Sequence, residues 1–319
     1  MRRTPLCLLA LAVVIILAVS AFGCKKPQEK PLPKKATDEF RYREPEITLY
    51  DNQTGQKKKI KFEEYIAGVV AAEMEPTWPI EALAAQSVLA RTFTLHKIKY
   101  EKGVPKHGAD ASTSTEEFQA YDPARINPKV RDAVKRTRGK VIKYNGKYIR
   151  AWFHSNAGGK TATALEGLAF KKEPTPYIKS ISDPGQKVAK PEDKTWKVSF
   201  TLDEVRAAFM KQTGKDTGAI TSVAIVKKGP SGRAELVRLG NSKISGPALR
   251  LGLGPERMRS TLLERFEVQG GTLQMTGRGF GHGVGMSQWG AYYMAKQDKT
   301  YDQIIDYYFK DVTIEQIWK

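Results

Sequence analysis

Cysteine is almost absent from this 319-residue chain: the only two are Cys7 and Cys24. Neither lies in the body of the sequence, which excludes a disulfide framework and a thiolate metal site there. Histidine is scarce as well. His96, His107, His154 and His282 are too scattered to show metal-ligand spacing, so no metal and no cofactor is expected. No internal repeat is evident, and there is a single long apolar run, over residues 6–23. Acidic residues are in deficit, with 34 Asp+Glu against 53 Lys+Arg and a net charge of +19. Such a charge calls for an anionic setting.

What is present begins with the N-terminus. Arg2 and Arg3 precede the apolar run, which ends in Ala21-Phe22-Gly23-Cys24, giving the parts of a secretory signal peptide over residues 1–24. The Ala-Phe-Gly-Cys box resembles a lipobox, although its first position is usually a larger aliphatic and its second a smaller residue. Cleavage before Cys24 and lipidation of that thiol would make a lipoprotein. An uncleaved anchor is the other reading, since ~18 apolar residues just span a bilayer. Either way the body is exported, held at the membrane and turned toward the cell wall or periplasm. Without the two signal arginines the charge is +17. An exported address directs it to anionic wall polymers and lipid headgroups and away from nucleic acid. Residues 25–45, rich in lysine and proline, read as a tether.

The best candidate for chemistry lies early in the body. Phe62, Tyr65, Ile66, Val69 and Val70 form a helical stripe whose next member, eleven residues after Phe62, is Glu73. A carboxylate therefore stands where a core residue is expected. Desolvation there favours the neutral form, which a general acid needs near neutral pH. Pro76 and Pro79 end this helix and begin another, to about Ile98, with Arg91 inside its apolar stripe and Gln86 at the edge. A half-buried arginine wants a carboxylate, and Glu73 or Glu75 across the helix pair is the expected partner. Such an ion pair could serve only to tie two helices, because structural networks also perturb carboxylates.

Further on, residues 141–154 read as two strands around an Asn145-Gly146 type I′ turn. His154 and Ser155 follow, but neighbours in a strand point to opposite faces and cannot pair as base and nucleophile. Residues 192–270 look like a smaller α+β unit. A strand at 196–200 meets the capping box Thr201-x-x-Glu204, which opens a helix to about Gln212. Strands at 223–227 and 234–239 flank the turn-forming Gly229-Pro230-Ser231-Gly232. Residues 245–250 and 259–261 read as loop and short helix.

From Gly277 to Gly285 a glycine falls on every second position, and the run passes into Met286-Ser287-Gln288-Trp289-Gly290. If it is extended, Arg278, Phe280, His282 and Val284 share one face and the other is bare backbone. That face would admit a ligand or another backbone; the alternative is a tightly packed strand at a sheet crossing.

Together Glu73-Met74, residues 81–92, Phe153-His154-Ser155 with Gly158-Gly159, and residues 279–291 resemble the stage II sporulation protein D (SpoIID) and LytB amidase-enhancer family, from about residue 47 to 318. The resemblance implies an α+β catalytic domain of helices and mixed sheet over 46–190 and 271–319, with the smaller α+β subdomain inserted over 191–270. It implies a lytic transglycosylase that cuts the MurNAc-GlcNAc β-1,4 bond of peptidoglycan strands, or a noncatalytic wall-binding enhancer partnered with an amidase. Glu73 would be the catalytic acid. Arg91, Gln86, His154, Ser155, His282, Ser287 and Gln288 would line the glycan groove, with Ser287 equally readable as a helix N-cap. Some SpoIID members add zinc-holding cysteines near the His-Ser loop; this chain has none there.

Overall fold

The computed structural model describes residues 43–319; the apolar run, Cys7, Cys24 and most of the tether lie outside them. The architecture is α+β, with helices packed among several small sheets of mixed pairing. No helix among the described residues is long and apolar enough to cross a membrane.

Strand β1 (Glu46–Tyr50) sends Ile47 and Leu49 inward on alternate positions, the pattern of a half-buried strand. It is flanked by β2 (Lys57–Lys61) and by β3 (Ala111–Ser112), which runs parallel to it. The lysines of β2 guard an edge that could otherwise pair with another chain. Helix α1 (Phe62–Glu73) and helix α2 (Ile80–Glu101) are joined by a short connection, residues 74–79. Most side chains of α2 from Ala82 to His96 are buried around the whole circumference, which makes it the central helix of the core. Helix α3 (Pro128–Arg136), N-capped by Asn127, packs on α1 and α2.

Strands β4 (Lys140–Tyr144) and β5 (Lys147–Tyr148) enclose the expected turn, with Asn145 and Gly146 at φ 49° and 74°. The second strand ends sooner than the sequence pattern implied. After Tyr148 the chain leaves the hairpin, and β6 (Phe153–His154) pairs instead with a distant strand.

Helix α4 (Ala164–Leu168) and helix α5 (Pro191–Lys194) lead into a second hydrophobic cluster drawn from residues 196–275. There β7 (Thr195–Thr201) runs into α6 (Leu202–Thr213), whose capping box forms as expected between Thr201 and Glu204. Strands β8 (Val223–Lys228), β9 (Ala234–Leu239) and β10 (Ser242–Ser245) form one antiparallel sheet. Residues 246–250 belong to a helix, α7 (Gly246–Leu253), because the Ser245 hydroxyl accepts the Ala248 N–H as its N-cap. Strand β11 (Leu263–Gln269) pairs antiparallel with β12 (Thr272–Arg278), which also pairs antiparallel with β7, in the order β11-β12-β7.

The glycine run that follows is not an extended strand. Gly279, Gly281, Gly283 and Gly285 all have positive φ, at 75°, 104°, 82° and 74°. This left-handed backbone turns the run around residues 152–158. A Cβ on Gly281 would stand 2.7 Å from the His154 Cβ, and one on Gly283 would strike the Arg233 guanidinium. Of the two uses expected for the bare backbone, approach of a ligand or of another backbone, protein fills it, and the run is a packing device. It delivers the chain to β13 (Met286–Ser287), parallel to β6, then to α8 (Gln288–Ala295) and α9 (Tyr301–Tyr308).

Candidate functional site

Glu73 ends α1 at the floor of a cleft of about 120 Å³. Ser155, Gln288, Trp78, Asp193 and Trp289 share that cleft, so distant chain segments converge on it. The β6–β13 pair sets Phe153 beside Met286 and His154 beside Ser287; one residue on, the Trp289 N–H donates to the Ser155 carbonyl at 3.0 Å. This register carries Gln288, the first residue of α8, to Glu73.

The carboxyl of Glu73 has two partners. Its Oε1 accepts the Ala120 N–H at 2.8 Å, and its Oε2 accepts from Gln288 Nε2 at 3.4 Å. Both bonds favour the anion, but burial outweighs them and pushes the pKa up from 4.5 to about 7. No cation pairs with it among the described residues. Glu75, at the cleft's rim, is by contrast held by Arg125 at 3.0 Å.

A wall of aromatic rings leads outward. Trp78 lies 4.6 Å from Trp289 and 5.0 Å from Tyr292, and the same three rings border an adjoining cleft of about 640 Å³. Asp193 fixes the wall by accepting from Trp289 Nε1 at 2.9 Å. Lys129, Lys190 and Lys296 stand around the outer cleft. These positioning groups were missed by sequence reasoning. Only Trp289, inside the quoted motif, carried a signal; Trp78 sits in the connection between α1 and α2, which looked like a mere linker.

The remaining expected site residues fall elsewhere. Arg91 is fully buried and pairs with Glu63, not with Glu73 or Glu75, through Nη2 at 2.8 Å and Nε at 3.1 Å. Glu63 Oε1 also accepts from the Gly139 N–H and from Trp318 Nε1. The geometry of a helix hairpin explains it. Arg91 lies eleven residues past Ile80 and Glu63 ten before Glu73, so the two stand level, far from the connection that follows Glu73. Gln86 is fully buried in α2 and does not line the cleft. Ser287 is fully buried and N-caps α8, accepting the Gly290 N–H at 3.1 Å.

His154 and His282 do not line the cleft and stand as a pair, their ring centroids 5.6 Å apart. His154 Nδ1 meets the Val284 carbonyl at 3.2 Å, while His282 Nδ1 accepts the Val284 N–H at 3.0 Å. Burial lowers both, His282 to about 3 and His154 well below its usual value, so both rings are neutral. Among the described residues no three His, Cys, Asp or Glu side chains gather as a metal site.

A family model described as Stage II sporulation protein, SpoIID, matches residues 50–144, which hold Glu73. One described as a domain of unknown function, DUF8618, matches residues 187–285. Stage II sporulation protein D of Bacillus subtilis is 32% identical over 283 residues, covering 85% of this chain and 79% of that protein. An uncharacterized protein of Brachyspira hyodysenteriae is 33% identical over 259 residues, covering 80% of this chain and 67% of that protein. The amidase enhancer of Bacillus subtilis is 28% identical over 297 residues, covering 78% of this chain and 40% of that protein.

Proposed function

The chain belongs to the stage II sporulation protein D family, and from that premise we propose that it is a wall-associated lytic transglycosylase. It cleaves the MurNAc-GlcNAc β-1,4 bond of peptidoglycan strands, including strands freed of stem peptides, and leaves 1,6-anhydro-MurNAc ends. The observation that carries this reading is a single carboxyl, Glu73, raised to about 7 by burial in an aromatic-walled cleft.

One carboxyl serves both halves of the reaction. Oε1 is held by the Ala120 N–H at 2.8 Å while Oε2 has only the long 3.4 Å bond from Gln288, so Oε2 exchanges the proton. Protonated Glu73 gives that proton to the glycosidic oxygen as the bond to C1 of MurNAc breaks. The resulting carboxylate takes the proton of the C6 hydroxyl as its oxygen closes on C1, which restores the acid. No water enters, so no second carboxylate is needed to activate one, in contrast to a hydrolysing pair. Trp78 and Trp289 supply flat faces for sugar rings. Ser155 and Gln288 supply hydrogen bonds at the reacting centre.

The relative named as an amidase enhancer supports a second reading, in which the chain binds the wall and stimulates an amidase without cutting glycan. Glycan strands with and without stem peptides, incubated with the native chain and with Glu73→Gln, separate the two. The first reading expects 1,6-anhydro ends by mass spectrometry from the native chain and none from the variant. Absence of such ends with both, alongside an amidase rate raised equally by both, establishes the second.

A further inference from the structure

A second pocket, of about 510 Å³, lies beneath the β4–β5 turn. It shares no lining residue with the clefts around Glu73. His96 stands sixteen positions along α2 from Ile80, so the pocket is displaced by about 24 Å along the helix from the aromatic wall, at a rise of 1.5 Å per residue.

The pocket's chemistry is specific. Tyr144 and Tyr177 pack at 5.5 Å, and Tyr100 and Tyr148 at 6.4 Å, giving it rings on two sides. Such surfaces suit a ligand with an apolar face and polar edges. His96, only 6% exposed, reaches the Tyr148 carbonyl through Nδ1 at 3.0 Å. That contact takes the proton on Nδ1 and leaves Nε2 as a bare lone pair. Nε2 has no hydrogen-bond partner, and the carboxylate of Glu101 is 3.8 Å away. Burial also lowers the pKa of His96, which keeps the ring neutral and accepting. A buried acceptor without a donor is costly, and a ligand that supplies the donor recovers that cost.

The lining charges do not add up to an anion site: Lys147 at the turn and Arg150 stand against Glu173 and the neighbouring Glu101. Arg150 is held by Glu101 at 2.5 Å and by Glu173 at 2.6 Å, with its guanidinium stacked 4.7 Å from the Phe170 ring centroid. Its charge is therefore spent. Glu173 remains 47% exposed and can accept a further hydroxyl. A neutral ring with one apolar face and several O–H or N–H donors meets each of these features.

We propose that this pocket is a second saccharide site, holding one neutral N-acetylhexosamine residue on its tyrosines while a hydroxyl or acetamido N–H donates to His96 Nε2. It performs no bond cleavage; it grips a glycan at a distance from the cleft. Binding therefore does not depend on transglycosylase activity.

The test is calorimetric titration of the full chain with triacetylchitotriose. Trp78→Ala, which removes the central ring of the cleft's aromatic wall, leaves this site intact, and saturable binding is expected to persist. Adding His96→Phe or Tyr144→Ala in that background is expected to weaken it about tenfold or more, the equivalent of one lost buried hydrogen bond or ring contact. Thermal melting checks that each variant folds, and Tyr144→Ala decides if His96→Phe does not. No binding in Trp78→Ala, or binding unchanged by both further substitutions, overturns the proposal. So does binding of inorganic phosphate in place of the sugar. Absence of 1,6-anhydro ends from the native chain, with this binding intact, would sink only the transglycosylase reading.

Discussion

At the scale of single residues, the arrangement turns on the protonation of Glu73. Burial raises its pKa from 4.5 to about 7, so below about 7 the folded protein holds the proton an acid needs. Cleavage is therefore expected to fall as pH rises through about 7, and a pH–rate profile checks this. Stability follows the same sign. Between 4.5 and about 7 the folded state binds more protons than the unfolded chain, so stability declines as pH rises across that window. Glu73→Gln removes the ionising group. Its melting temperature relative to the native chain should be higher at pH 8 than at pH 5; an equal difference at both would remove burial as the cause. Glu73 itself was legible in the sequence, because a carboxylate interrupts an apolar stripe. Its partner Gln288 was legible only as part of a motif, since a hydrogen bond across 215 residues leaves no local trace.

At the scale of elements, two devices hold the cleft open and in register. The first is the α1–α2 hairpin, locked at its far end by Glu63 and Arg91. Breaking a buried pair strands one charge, so Arg91→Met should cost about 3–5 kcal/mol in chemical denaturation. Glu63→Gln with Arg91→Met should recover part of that loss. If the double variant is no better than Arg91→Met, the pair is not the cause. The second device is the glycine run. Gly281→Ala places a methyl against His154 at φ 104°, so a loss of about 1–3 kcal/mol from overpacking is expected, with added backbone strain. Full stability with weaker glycan binding would reverse this and restore the ligand-facing reading. Alternation by two could not reveal the outcome, since it describes a strand and glycine alone adopts left-handed backbone freely.

At the scale of the whole molecule, charge and address act together. The chain carries +19, and the lysines around the outer cleft place part of that charge beside the proposed glycan path. If the anchor is a lipid on Cys24, Cys24→Ala should release the protein from membranes or leave an unprocessed precursor, as fractionation and mass would show. Unchanged retention at the mature size would make the anchor something else.

The sequence by itself determined the helix hairpin, the position of Glu73 at its turn, the Asn145-Gly146 hairpin and the Thr201 capping box. Each is written in neighbouring residues, through a periodicity, a cap or a turn preference that the backbone obeys locally. Tertiary structure alone decided that Arg91 serves Glu63, that Ser287 caps a helix while Gln288 reaches the acid, and that Trp78, Trp289 and Asp193 build the wall. It also decided that the two histidines bond the Val284 backbone and do not line the cleft, and that the glycines pack against protein. Those choices rest on which segments meet in the folded chain, and packing sets that meeting over separations at which no sequence period survives.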